Sequence, residues 1–202
     1  MDLGSVFTQM SDNRTAIRVI TAPAAEPVTS TECKLDARVS GTTEDSLFTS
    51  WIAAARAEIE AAARRALINR TLELTLDGFP ADGVIYLPFP PLVSVTSIKY
   101  TDGDDVEHTI TGSDYVVITE NDPGLVIAAS TASWPSDLRK RAAVRIRYVA
   151  GYGAAASDVP DGYKVDIRGL VKLYYDYRSG WTPEAERAKA NYIGHAASTW
   201  GW

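Results

Sequence analysis

From Leu47 onward the apolar positions recur at three- and four-residue steps: Leu47, Phe48, Trp51, Ile52, Ala55, Ile59 and Ala62. That period draws one stripe along a helix and predicts a helical segment from about Thr43 to Leu67. Glu44 and Asp45 stand in its first turn, where the helix dipole favours carboxylates. The runs Ala53–Ala55 and Ala61–Ala63 leave room for another helix to approach closely. A shorter helix should precede it. Thr29-Ser30-Thr31-Glu32 has the form of a capping box, in which hydroxyl and carboxylate each take an orphan amide. Gly41 separates the two.

The period falls to two at Arg70, where Leu72, Leu74 and Leu76 alternate with Thr71, Glu73 and Thr75. Strands are then expected at Val84–Leu87, over Val93 to Tyr100, around His108–Ile110, at Tyr115–Ile118 and at Leu125–Ala128. A last strand should carry Val144, Ile146 and Tyr148, alternating with Arg145 and Arg147. Asp77-Gly78, Asp102-Gly103 and Asp122-Pro123-Gly124 mark turns between them, the last with glycine supplying positive φ. Pro88, Pro90 and Pro91 cannot donate to a ladder, so Leu87–Leu92 should form a corner. Helical spacing returns after Pro160 with Tyr163, Ile167, Leu170, Val171 and Tyr174. Thr182-Pro183 opens a fourth helix, which Gly194 should end. The expected class is α+β: about four helices, with an antiparallel β domain inserted between the second and third. Its parts are an extended N-terminal arm (1–27), a helical domain from 28–69 and 157–194, the β domain (70–150) and a C-terminal tail (195–202).

Composition sharpens this picture mainly by exclusion. The 202 residues are 46% hydrophobic, enough for a core, yet contain no apolar run long enough to span a membrane. One cysteine, Cys33, excludes an internal disulfide framework. A net charge of -6 disfavours gripping nucleic acid by broad charge neutralisation.

Candidate chemistry is sparse. His108 and His195 are the only imidazoles, and neither stands in a nucleophile-elbow, zincin or triad pattern. Gly151-Tyr152-Gly153-Ala154-Ala155-Ala156 imitates a dinucleotide fingerprint, but Ser157-Asp158-Val159-Pro160 intervenes before the helix and no parallel strand follows. It reads as a β-to-α connection. Asp102, Asp104, Asp105 and Glu107 fail the calcium-loop spacing, because the twelfth position from Asp102 is Ser113. No catalytic residue, metal site or cofactor is therefore expected, and the chain is not read as an enzyme. The residues alone also allow a small-molecule or glycan-binding β module with helical flanks.

The order of elements and several strings together resemble the head–tail connector (adaptor, head-completion) proteins of long-tailed double-stranded DNA phages and gene-transfer particles. Carrying the resemblance are Val28-Thr29-Ser30, Thr43-Glu44-Asp45, Arg65 to Thr71 and Leu87-Pro88-Phe89-Pro90-Pro91-Leu92-Val93-Ser94-Val95. Asp114-Tyr115, Trp134-Pro135, Tyr148-Val149-Ala150-Gly151-Tyr152-Gly153 and Val159-Pro160 complete it, so that it spans roughly residues 28–180. The resemblance implies a structural virion protein made in the host cytoplasm and placed at the head–tail interface. About twelve copies would form a ring adaptor between the portal and a tail-side neck or stopper protein. DNA would pass its channel without specific binding, and no membrane would be involved. In such connectors the C-terminal segment reaches toward the portal, which marks His195, Trp200 and Trp202 as portal-binding candidates, mobile in the free subunit. Two charge clusters look too concentrated to satisfy themselves within one hairpin. They are the acidic Asp102, Asp104, Asp105 and Glu107, and the basic Arg139, Lys140, Arg141, Arg145 and Arg147. Pairing between neighbouring subunits is expected of them.

Overall fold

The computed structural model describes residues 16–200, with side chains through Ser198. They fall into two units, and the chain passes between these after residues 22, 68 and 151. Among the described residues, four α-helices and eight strands make up an α+β fold, with seven of the strands standing between the second and third of these helices.

In the helical unit, α1 (Ser30–Ala37) opens on the expected capping box. Thr29 Oγ1 accepts from the Glu32 N–H at 3.2 Å, and Glu32 Oε2 accepts from the Thr29 N–H at 2.7 Å. The Thr29 hydroxyl, which donates to Glu32 Oε2 at 2.7 Å, and then the Thr29 N–H hold the Glu32 carboxyl below the usual carboxylate range. α2 (Asp45–Ala63) stops short of the expected Leu67 because Arg64 takes the left-handed conformation at φ 53°. Buried Glu60 explains what replaces the last turn. Its Oε1 accepts the Leu67 N–H at 2.9 Å while its Oε2 holds Arg56 at 2.8 Å, which satisfies an amide outside any helix. α3 (Asp161–Asp176) and α4 (Pro183–Trp200) complete the unit. Phe48, Ile52, Ala55 and Ile59 of α2 pack with Tyr163, Ile167, Leu170 and Val171 of α3 in one buried apolar cluster. Cys33 lies buried in the same cluster, and desolvation pushes its thiol up to about 12. It packs as a small hydrophobe.

α4 corrects one expectation. Gly194 does not end it, and the segment from His195 to Trp200, expected as a mobile tail, continues the helix. The reason is tertiary: Ala196 is buried in the apolar cluster, and His195 Nδ1 lies 2.8 Å from the buried Asp166 of α3. Packing of this kind overrides the roughly 1 kcal/mol helix penalty of a glycine. Trp202 lies outside the described residues.

The second unit is built on a five-stranded antiparallel sheet of β1 (Ala16–Thr21), β2 (Arg70–Leu76), β8 (Val144–Ala150), β4 (Leu92–Thr101) and β5 (Glu107–Thr109), in that order. β3 (Val84–Tyr86), β7 (Leu125–Ala128) and β6 (Tyr115–Ile118) form a separate three-stranded sheet in the order given. β1 corrects a second expectation, since residues 16–21 are not an extended arm but an edge strand paired with β2, Arg18 opposite Glu73. The period of two governs the burial. Val144, Ile146, Tyr148 and Ala150 are all buried, and Leu74 and Ile98 stand on either side of Ile146. The Tyr148 hydroxyl, its pKa raised by burial, donates to the Pro88 carbonyl at 2.8 Å and so ties the proline corner to the central strand. Gly124 does not supply positive φ to its turn. It is needed for space, because a Cβ there would overlap the side chain of Leu92.

Candidate functional site

Strand register assembles what is far apart in sequence. Arg145 and Arg147 of β8 lie opposite Thr75 and Glu73 of β2 on one side, and opposite Lys99 and Ser97 of β4 on the other. The face of the sheet turned away from Ile146 is therefore charged. Glu73, with a side chain 8% exposed, receives Arg18 Nη2 at 2.7 Å on Oε1 and Arg147 Nη2 at 2.8 Å on Oε2. Burial opposes its ionisation, but the two guanidinium bonds outweigh that and hold its pKa below the ordinary value. A second triad repeats the arrangement: Glu107 bonds Lys99 at 2.7 Å and also bonds Arg145. Between the triads lies a shallow recess lined by Glu73, Ser97, Lys99, Glu107, Arg145 and Arg147.

The acidic residues next to β5 organise a hairpin. Asp102 Oδ1 accepts the N–H groups of Asp104 at 3.0 Å and Val106 at 2.9 Å, while Oδ2 stands 2.6 Å from His108 Nε2. The His108 bond, followed by the amides, lowers the Asp102 pKa. Among the described residues no group of three or more His, Cys, Asp or Glu side chains could hold a metal ion.

The basic stretch is likewise occupied within the chain. Arg139 donates to the carbonyls of Arg141 and Ala142 at 2.9 and 2.8 Å, and lies 4.0 Å from Asp105. Arg141 bonds Asp77 at 2.7 Å. Beyond the hairpin the two clusters find partners within the chain: Glu107–Arg145, Arg147–Glu73 and Arg141–Asp77 pair. Sequence spacing hid this, because the partners are joined by sheet register across dozens of residues. Asp104 and Lys140 both stand exposed at the surface.

The glycine-rich connection has its own occupant. Asp158 Oδ2 accepts the Ala155 N–H at 2.9 Å, and a Cβ on Gly153 would collide with the Asp158 side chain. A carboxylate of the chain thus fills the place where a phosphate would need to sit. His195 is held by Asp166, whose pKa is raised by burial against the opposing pull of that imidazole. The side chain of Trp200 is not among those described, and Trp202 lies beyond them.

No protein-family model matches the chain, and no curated protein sequence does either. Solved structures do. A chain from the neck of an empty gene transfer agent particle, computed with C6 symmetry, superposes with a TM-score of 0.74 at 23% identity, covering 92% of this chain and 95% of that one. A chain from the virion of the native gene transfer agent particle gives 0.71 at 22% identity, over 92% of this chain and 94% of that one. A chain from the native neck, computed with C12 symmetry, gives 0.68 at 22% identity, over 90% and 94%. The shared feature is the fold, along nearly the full length of both partners.

Proposed function

We propose that this chain is a structural neck protein of a phage-like particle, copies of which form a ring adaptor between the portal and the tail-side proteins and extend the DNA channel. The observation that carries the reading is the likeness to neck chains over 92% of this chain, both units included. Symmetry fits as well. Those necks were computed with sixfold and twelvefold symmetry, and heterologous contacts that close by rotation generate rings.

The chemistry of the chain supports a structural role. Its charged recess is lined by groups that bind one another, whereas small-molecule and glycan sites are mostly apolar hollows with a few convergent polar groups. The net charge of -6 suits a channel wall past which DNA moves without specific binding. On this reading the chain resides at the head–tail interface after a period in the host cytoplasm. The C-terminal turns of α4, with His195 and Trp200, are the segment assigned to portal contact, together with Trp202. Deleting the gene tests the function. DNA-filled heads and free tails that fail to join, with joining restored by the gene in trans, are expected. Normal tailed particles in the deletion strain would refute it.

A further inference from the structure

Among the described residues, the five-stranded sheet ends in two edge strands of opposite character. β1 forms one, and its partners are all on one side. It is an apolar strand, Ala-Ile-Arg-Val-Ile-Thr, with Ile17 exposed to 39% and Val19 to 51%. It carries no proline and no lysine, two of the devices by which proteins protect such an edge from pairing. Its one charge is Arg18, exposed to 71% despite its bond to Glu73. The other edge is β5 with its hairpin, Asp104-Asp105-Val106-Glu107-His108-Thr109, in which Val106 is exposed to 51%. One edge is apolar and basic, the other apolar and acidic.

We propose that these edges join between copies, β1 of one subunit against β5 of the next, so that the sheet runs on from subunit to subunit. The inference rests on the ring reading above and names the surface by which the ring closes. Three properties of the sheet support it. Charge complementarity excludes the symmetric alternatives, since β1 on β1 brings Arg18 toward Arg18, and β5 on β5 brings three carboxylates toward three. The faces agree. Ile17 and Val19 stand opposite Leu74 and Leu72 on the apolar face, where His108 also lies, stacked on Tyr100 at 5.0 Å. Arg18 and Glu107 share the charged face. Strand direction agrees as well: every neighbouring pair is antiparallel, so the first and fifth strands run the same way. Head-to-tail continuation then pairs β5 and β1 in parallel, a heterologous contact of the kind that closes rings. The acidic hairpin thus meets Arg18 of the next copy, and not the basic stretch that its own subunit already uses.

Cysteine cross-linking of the full-length purified chain tests this. Ile17→Cys/Val106→Cys and Val19→Cys/Val106→Cys place thiols on exposed positions of both edges, while native Cys33 stays buried. Oxidation at rising protein concentration should give, for at least one double variant, a denaturing-gel ladder of covalent dimers, trimers and higher species, with the single variants remaining monomeric. Val19→Lys, an exposed change expected to leave the melting temperature unmoved, should abolish the ladder when added to Ile17→Cys/Val106→Cys. Monomers at every concentration overturn the proposal, and so do covalent dimers formed by Ile17→Cys or Val19→Cys alone. The ring reading is judged separately, by whether the wild-type chain is found at the head–tail junction of purified particles. A chain located there whose double variants give no ladder refutes the edge pairing and leaves the reading intact.

Discussion

The helical unit and the β unit solve the problem of charge in different ways. In the helical unit, ion pairs tie helix to helix over an apolar interior: Arg168 of α3 bonds Asp36 of α1 at 2.7 Å, and Lys189 of α4 bonds Glu58 of α2 at 2.8 Å. Each pair joins two elements that already pack, so the unit closes on itself. In the β unit the two triads around Glu73 and Glu107 tie strands together on one face of the sheet, and among the described residues β1 and β5 each pair on one side only. The contrast separates a self-contained body from one whose sheet can be extended. Hydrophobic burial carries the stability of the first, while strand register and charge set what the second can join.

The largest effect that would sharpen this contrast is in the helical interior. Phe48 is fully buried, edge-on to Trp51 at 5.4 Å and stacked with Tyr175 at 5.6 Å. Phe48→Ala should lower the unfolding free energy by about 3–5 kcal/mol in chemical denaturation. A loss well under 1 kcal/mol would mean that the apolar cluster does not hold the unit. Next comes the end of α4. Removing residues 195–202 takes the His195 bond from buried Asp166 and the packing of Ala196, and should cost about 1–3 kcal/mol. An unchanged melting temperature would show that the last turns do not belong to the subunit's own core.

The smallest effect tests the charged face. Glu73→Gln should cost about 1–2 kcal/mol at neutral pH, given that the Arg18 and Arg147 partners remain substantially exposed. Its signature is the pH dependence. A carboxylate with a depressed folded pKa contributes stability above its ordinary value of 4.5, and that stability is lost as pH falls through the folded value. The wild-type chain should therefore lose stability relative to Glu73→Gln as pH drops below about 4.5. Parallel pH profiles for the two proteins would break the link between the triad and stability.

How much of this was legible beforehand follows from what each signal depends on. Local periodicity sufficed for β2, β8, α2 and α3, because Leu72, Leu74 and Leu76 or Tyr163, Ile167 and Leu170 repeat within a few residues. α1 and the start of α4 were legible from their capping residues. β1 escaped because Ile17 and Val19 offer only one repeat of alternation before Pro23, and its pairing with β2 lies some fifty residues away. The end of α4 was misread because a glycine signals a stop only where nothing packs beyond it, and Asp166 and Ala196 supply that packing. The triads around Glu73 and Glu107 exist only through register, so charge counting along the chain saw two excesses where the sheet shows pairs.

The central claim, that the chain is a neck ring component, is met most directly by imaging the particle itself. A reconstruction of the head–tail junction of purified wild-type particles, with the neck symmetry applied, should show a ring of copies between head and tail. Each copy's density should accept both the four-helix unit and the five-stranded sheet. A junction resolved at side-chain level in which no density fits this chain, in particles from which mass spectrometry also finds it absent, would contradict the account.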